Sequence, residues 1–392
     1  MTTLRRIGRL LGAGAFALLL GFVPLSAAHG EIFAAEGLDR LFCNLPQLRQ
    51  TVVYIDDMMM IDGQTAWAIR LAAKLRETLA PGERVTVVRL SPASGLSQEI
   101  WSGCWPAYPA DVAAKYRAET YLLTRNPLDR VAAQQHMFLQ GFGLALTRIY
   151  ADAKRPEVAV RFTPASAPAK QIVRALASDD GRFARSTTTL RAIVYSDMAE
   201  NSDLGSAMKP SAGAAVALGT KLGVTLRRGV IYGFGVGSDM DASPAFADCA
   251  RLFWNAALRS MASTLGGLGA DLNLPDIVPT RAFSSTIDVD LDGVALAGRL
   301  SLLTDARGNL VDSWIGVSRL SSATLAGTYS CRQAPGEAPA CQLSAVTSAG
   351  VTTKTPGETL TMAGDQATGL RGHLGVTGTK ALFALHTAPD GS

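Results

Sequence analysis

The sequence predicts an α/β domain with a doubly wound, mostly parallel sheet, followed by a small all-β sandwich or barrel domain. Three observations carry this expectation. Apolar strands alternate with amphipathic helices from residue 50 to residue 264, the pattern of a parallel sheet covered on both faces. Two of those strands, Thr51–Asp56 and Leu190–Asp197, are apolar runs that end in aspartate, which sets carboxylates at one rim of such a sheet. Beyond residue 282 the apolar period changes to two and helix signals stop.

The elements follow in order. Arg5, Arg6 and Arg9 precede an apolar run from Leu10 to Leu25, and Ser26-Ala27-Ala28 supplies small residues for cleavage. Residues 1–28 therefore read as a signal peptide, and the protein is expected in the periplasm or outside the cell. Residues 29–49 form a lead-in. After the first strand, Trp67, Leu71, Leu75 and Leu79 recur every four residues and define a helix ended by Pro81-Gly82. Val85–Leu90 is a second buried strand, and Ser91–Thr124 reads as loop-rich, with Trp101, Cys104 and Trp105 close together. Asn126-Pro127 opens a long helix, with Asn as N-cap and Pro at the first position. Leu139, Phe142, Leu146 and Ile149 form its apolar face. Val158–Phe162 is an expected short edge strand and Pro168–Leu176 a short helix. Leu190–Ser196 and Gly229–Val236 are further strands, and Ser243-Pro244 opens the closing helix.

Residues 265–282, rich in Gly and Pro, read as a linker. In the segment 283–392, Ile287, Val289 and Leu291 alternate with Asp288, Asp290 and Asp292, as a strand with one solvent face does. Asp288-x-Asp290-x-Asp292-Gly293 has the opening of a calcium loop, but Arg299 stands where the bidentate glutamate belongs. A strand with an acidic outer face is the expectation.

The chain has 392 residues with 37 Lys and Arg against 33 Asp and Glu. Loss of residues 1–28 removes three Arg and no acid, leaving 34 against 33. A near-neutral mature chain carries no electrostatic footprint for nucleic acid. No stable membrane insertion is expected after signal cleavage. The five cysteines are Cys43, Cys104, Cys249, Cys331 and Cys341. Export permits disulfides, and Cys331 and Cys341 flank a short Pro- and Gly-rich loop between two strands, so a bridge is expected there.

Val53-Tyr54-Ile55-Asp56 followed by a helix, the long helix through Phe138–Tyr150, Val194-Tyr195-Ser196-Asp197 with Asn201-Ser202 just after, and a late strand with a closing helix together resemble a von Willebrand factor A domain. The resemblance covers roughly Gln50 to Thr264. It implies a sheet whose C-terminal rim binds a partner through a divalent ion. That ion is held by a first-strand Asp-x-Ser-x-Ser, a Thr from a second loop and an Asp from a later strand. Asp56 and Asp197 match the two aspartates. Met58 and Met60 stand at the hydroxyl positions, and thioethers are poor ligands for a hard cation. No Thr stands clearly at the second-loop position. Asp57 or Asp62 would be needed as substitutes. No metal and no cofactor is expected.

In a doubly wound domain Cys104, after the second strand, and Cys249, in the last helix, fall on the C-terminal side of the sheet, so they are expected to pair and leave Cys43 over. Asp56 and Asp197 have a second reading as acceptors for loop N–H groups. Met58 to Met60 have one as core packing under the Trp101–Trp105 loop.

The sequence reading is an exported, non-enzymatic protein–protein interaction module. Its expected partner-binding rim is Asp56, Asp57, Met58, Met60, Ser196, Asp197 and Asn201, with a protein partner of unnamed identity. Two alternatives stand beside it. One is an exported metal-dependent hydrolase using Asp56, Asp57 and Asp197. The other is a structural or adhesive surface protein that binds through the β-domain. Gly233-x-Gly-x-Gly follows a late strand, unlike a dinucleotide fingerprint, and no Gly-x-Ser-x-Gly elbow is present. His136, His373 and His386 stand alone in the sequence.

Overall fold

The computed structural model describes residues 33–34, 38, 40–60, 65–119, 125–153, 170–186, 188–208, 218–237, 244–291, 293–333, 339–351, 357–365, 368–376 and 383–387. The signal segment 1–28, Asp62 and the strand expected over 158–162 lie outside the described residues.

The first unit is built on strands β1 (Phe33–Ala34), β2 (Arg49–Asp56), β3 (Arg84–Ser91), β4 (Leu96–Cys104), β5 (Thr189–Tyr195), β6 (Asn201–Ser202), β7 (Gly205–Ser206), β8 (Gly229–Phe234) and β9 (Thr264–Gly269). Its helices are α1 (Ala66–Thr78), α2 (Ala110–Ala118), α3 (Val131–Ala153), α4 (Ile172–Ala177), α5 (Asp180–Arg185), α6 (Leu218–Leu222) and α7 (Pro244–Ser260). The main sheet has the order β1-β4-β3-β2-β5-β8-β9, and β6 and β7 form a separate hairpin. Strands β3, β2, β5, β8 and β9 run parallel, while β4 is antiparallel to β3. This is the expected mostly parallel, doubly wound sheet.

The apolar runs of the central strands have a physical cause. Val52 and Tyr54 pack on one side with α4 and α7, whereas Val53 and Ile55 pack on the other with α1 and α3. A strand buried on both faces needs apolar residues at every position. The helix signals hold locally. Trp67, Leu71 and Leu75 of α1 are buried, as are Phe138, Phe142, Leu146 and Ile149 of α3. Asn126 Oδ1 accepts the Leu128 N–H at 2.9 Å, with Pro127 opening a 3₁₀ turn that leads into α3. Gly82 takes φ +70°, and a Cβ there would stand 2.7 Å from the Phe42 carbonyl oxygen.

Three expectations are corrected. The stretch Ser91–Thr124 contains β4 and α2 rather than loop alone. Strand β4 is only partly buried and carries many polar residues, so it lacked the continuous apolar signal of its neighbours. The linker begins later than residue 265, because β9 completes the sheet beside β8. Its glycines make room for a ring: a Cβ on Gly266 would stand 2.5 Å from Tyr232 Cζ. Cys104 pairs with Cys43, at a Cα separation of 5.2 Å, and Cys249 is free. The antiparallel return of β4 explains this. It carries Cys104 back opposite Arg84 at the start of β3, on the same side of the sheet as the lead-in that holds Cys43.

The second unit is a closed barrel of eight antiparallel strands. They are β10 (Arg281–Leu291), β11 (Val294–Thr304), β12 (Ser313–Val317), β13 (Ser322–Arg332), β14 (Ala340–Thr347), β15 (Thr359–Asp365), β16 (Gly369–Gly375) and β17 (Phe383–Thr387). Strand β17 pairs back onto β10, which leaves no free edge. Ile287, Val289, Leu300, Ile315, Leu343 and Leu360 fill the interior. Asp288 and Asp290 lie on the exposed outer face, as the alternation predicts. The expected Cys331–Cys341 bridge is present and joins directly opposed residues of β13 and β14.

The barrel meets the α/β unit near the N-terminal ends of the parallel strands. Thr189 and Ser301 hydroxyls lie 2.7 Å apart, and Ser322 Oγ donates to the Ser263 carbonyl at 2.9 Å. Trp314 of β12 packs into the core beneath α1 and α3. A buried ionic network crosses the boundary. Arg49 forks onto Glu83 at 3.0 and 2.8 Å, and its Nη1 donates to Asp312 at 2.5 Å. Arg191 Nη2 donates to Glu83 at 3.3 Å, and the Tyr232 hydroxyl donates to Asp312 at 2.6 Å. Two guanidinium groups thus face two carboxylates, and the charge balances.

Candidate functional site

Strands β2 and β5 are hydrogen-bonded neighbours, so their C-terminal ends present Asp56 and the Ser196-Asp197 pair side by side. At Asp56 the chain enters a 3₁₀ turn, Asp57–Met60, and the Met58 N–H donates to Asp56 Oδ1 at 2.9 Å. After β5, Ser196 Oγ donates to Asp56 Oδ2 at 2.7 Å and accepts the Met198 N–H at 3.1 Å. Asp197 Oδ1 accepts the Ala199 N–H at 3.0 Å. Met198 holds φ +59°, an uncommon conformation for a side-chain-bearing residue.

The centre of this cluster is a lysine that sequence reasoning missed. Lys170 Nζ lies 2.6 Å from Asp197 Oδ1 and 3.0 Å from Asp56 Oδ2. All three groups are buried: relative exposure is 0% for Asp56, 5% for Asp197 and 7% for Lys170. Burial alone would lower the Lys170 ammonium, yet the Asp56 and Asp197 carboxylates together hold it above the ordinary lysine range. Burial pushes the Asp56 carboxyl upward, with Lys170 and Ser196 pulling against that shift. The backbone of Lys170 is tied to the rim as well, since its carbonyl accepts the Asn201 N–H at 2.9 Å. Lys170 sits just before the buried run of α4, and nothing in its local sequence signals an inward-facing ammonium.

The other expected rim residues divide. Asp57 turns away from the cluster and accepts Arg89 Nε at 2.9 Å and Ser91 Oγ at 2.7 Å. Met60 is core, packed with α1 and α3, while Met58 is half-buried. Asn201 is exposed at the start of the β6–β7 hairpin. The structure therefore joins Asp56, Ser196 and Asp197 around Lys170, and separates Asp57 and Met60 from them.

A further buried acid, Glu200, borders the cluster. Glu200 accepts the Val173 N–H at 2.9 Å and Ser202 Oγ at 2.5 Å, and burial pushes its carboxyl up to about 7. It braces the hairpin against the start of α4. Trp67 stacks on Tyr195 at a centroid distance of 3.9 Å and holds α1 over the end of β5.

Away from the rim, the barrel bears an open groove of about 790 Å³ on its outer surface, lined in part by Asp288, Asp290, Arg371, His373 and His386. No group of three or more metal-ligating side chains occurs among the described residues. No described helix is long and apolar enough to cross a membrane.

Fold and site together define an α/β unit with a mostly parallel sheet, a lysine at its rim and a closed barrel at its opposite end. No family model matches the sequence, and no curated protein does. Among solved structures, the chain is similar to the ArnB paralog VWA2 from Sulfolobus acidocaldarius, with a TM-score of 0.31 and 9% identity over 81% of this chain and 65% of that one. It is also similar to the human COPII-coat protein Sec24c, with a TM-score of 0.30 and 8% identity over 88% of this chain and 44% of that one. The chain spans less than two thirds of the length of either.

Proposed function

We propose that the protein is an exported, non-enzymatic protein-interaction module whose α/β unit works without a bound metal. The observation that supports this is the Lys170 ammonium between Asp56 and Asp197. A divalent ion at this rim, as the resemblance implies, needs several oxygen ligands with open positions. Here a fixed positive charge stands against the two carboxylates, and Met60 is packed in the core. The donor set does not fit such an ion. The same commitments count against hydrolysis: Asp56 and Asp197 are spent on Lys170, and Asp57 on Arg89 and Ser91.

The buried carboxylates do not themselves touch a partner. Their role in this reading is to brace the loops that do, including half-buried Met58 and exposed Asn201 and Met208. The barrel docks at the opposite end of the sheet, and Asn201 and Met208 are exposed among the described residues. Two disulfides suggest an oxidising compartment, which accords with export.

The barrel groove favours a second reading, in which the β-unit carries the binding surface. Photo-crosslinking separates the two. A photoreactive residue is placed in the full chain at Asn201, at His373 in the groove, or at Leu252 on α7 as a control. Adducts to one protein partner at Asn201 alone support the rim. Adducts at His373 alone move the function to the barrel.

A further inference from the structure

The boundary between the two units holds two arginine pairs, and they differ in charge balance. Arg49 and Arg191 face Glu83 and Asp312. Arg228 and Arg299 face each other, and among the described residues no carboxylate counters either charge. Their placement follows from register. Arg299 and Ser301 lie on one face of β11, opposite Thr286 and Ser284 of β10. That face turns to the α/β unit, where the Ser301 and Thr189 hydroxyls lie 2.7 Å apart. Thr189 opens β5, and the Leu190 N–H beside it donates to the Arg228 carbonyl at 2.9 Å. Arg228 therefore enters the same seam from the start of β8. Burial, then the Arg299 and Arg227 charges, hold its guanidinium below the ordinary arginine range.

Three details fit an anion between these groups. Arg299 Nε is buried and has no acceptor among the described residues, while Nη2 of the same fork donates to Ser284 Oγ at 3.0 Å. Arg228 holds φ +66°, a left-handed conformation that arginine seldom adopts, and its Nη1 donates to the Ser186 carbonyl at 2.5 Å. The seam grades from buried Thr189 and Ser301, through half-buried Arg228 and Arg299, to exposed Ser284 and Arg227, so solutes reach the guanidinium groups. The groups gathered here are rich in donors. A phosphate offers several acceptor oxygens and matches an arginine fork with two parallel bonds. Its double charge balances two arginines, whereas a single carboxylate would leave one of them uncompensated.

We infer that the seam beside Arg228 and Arg299 is an anion-binding site that takes a phosphate group. Arg299 supplies the barrel's half of the site and Arg228 the half from the α/β unit, so a bound phosphate ties the two units together. The site lies at the end of the sheet away from Lys170, and it stands apart from the rim-binding reading. A free phosphate ion and the phosphate of a larger monoester present the same chemistry here.

The test titrates inorganic phosphate into the full chain by calorimetry, against sodium chloride at matched ionic strength. One phosphate per chain is expected, with a rise in melting temperature that chloride does not give. Arg299→Gln and Arg228→Asn are each expected to weaken binding at least about tenfold; Asn is chosen because it tolerates the left-handed backbone. Arg251→Gln, which alters an exposed side chain on α7, is expected to bind as the unaltered chain does. Glycerol 3-phosphate that binds more tightly than inorganic phosphate assigns the site to a phosphomonoester, and equal or weaker binding assigns it to the free ion. Three results overturn the inference: no saturable binding of either compound, a response matched by chloride, or undiminished binding in either arginine variant of the seam. Should a variant fail to fold, phenylglyoxal labelling of the unaltered chain decides. Protection of Arg228 and Arg299 by phosphate beyond that of Arg251 supports the site, and equal labelling with and without phosphate overturns it.

Discussion

Two residues of the rim set measurable expectations. Asp197 is one of two carboxylates on the Lys170 ammonium. Its replacement by Ala leaves a buried cation half-partnered, a loss of about 3 kcal/mol, read as a lower urea midpoint. Glu200 makes the opposite kind of statement. Its carboxyl rises from the ordinary 4.5 to about 7 through burial. The folded state then binds the Glu200 proton more tightly than the unfolded chain does. Stability contributed by this group is therefore full below about pH 4.5, falls as pH climbs toward 7, and stays reduced above it. The difference is on the order of 3 kcal/mol. Urea titrations at mildly acidic and mildly alkaline pH check this: Glu200→Gln is expected to remove that part of the pH dependence. An unchanged slope in the variant would refute the assignment. Asp56 and Asp197 were legible in the sequence because each closes an apolar strand. Lys170 and Glu200 were not, since a charged side chain turned inward looks locally like one turned outward.

At the level of elements, the strongly apolar strands and the periodic helices announced themselves, and the weaker ones did not. Strands β2, β3, β5 and β8 are buried on both faces and read as apolar runs. Strands β4 and β9 lie toward the edges, one half polar and the other half glycine, and read as loop and linker. The disulfide correction follows from the first of these: a loop after β3 would leave Cys104 on the C-terminal side of the sheet, whereas the antiparallel return of β4 carries it to the side that holds Cys43. The two bridges should differ in worth. Cys43 and Cys104 lie 61 residues apart and Cys331 and Cys341 only 10. Loop-closure entropy assigns about 4 kcal/mol to the first and about 3 kcal/mol to the second. Cys43→Ser/Cys104→Ser is expected to lower the denaturant midpoint more than Cys331→Ser/Cys341→Ser. The reverse order would show that strain or residual structure outweighs chain entropy here.

For the whole molecule, the two units share one buried boundary. Asp312 of the barrel holds Arg49 and Tyr232 of the α/β unit, and Trp314 enters its core. Asp312→Ala leaves Arg49 with Glu83 and the Thr78 carbonyl, and strips Tyr232 of its acceptor. We expect a loss of about 3–5 kcal/mol and easier proteolysis near residue 280. Wild-type resistance to protease in this variant would show that the network is not what joins the units. A cut at residue 264 is expected to yield an unstable fragment, because it removes β9 and exposes the site of Trp314. Function is therefore best tested in the full chain.

The sequence alone determined the fold class, the order of the buried strands and main helices, the change to a β-unit, the Cys331–Cys341 bridge and the rim position of Asp56 and Asp197. Each of these follows from local periodicity or from neighbours a few residues apart, which the chain displays directly. Tertiary structure decided the Cys43–Cys104 pairing, the closure of the barrel, its docking through Arg49 and Asp312, and the lysine between the two aspartates. Those depend on groups tens or hundreds of residues apart meeting in a buried, weakly screened interior, where one ammonium changes what two carboxylates can do.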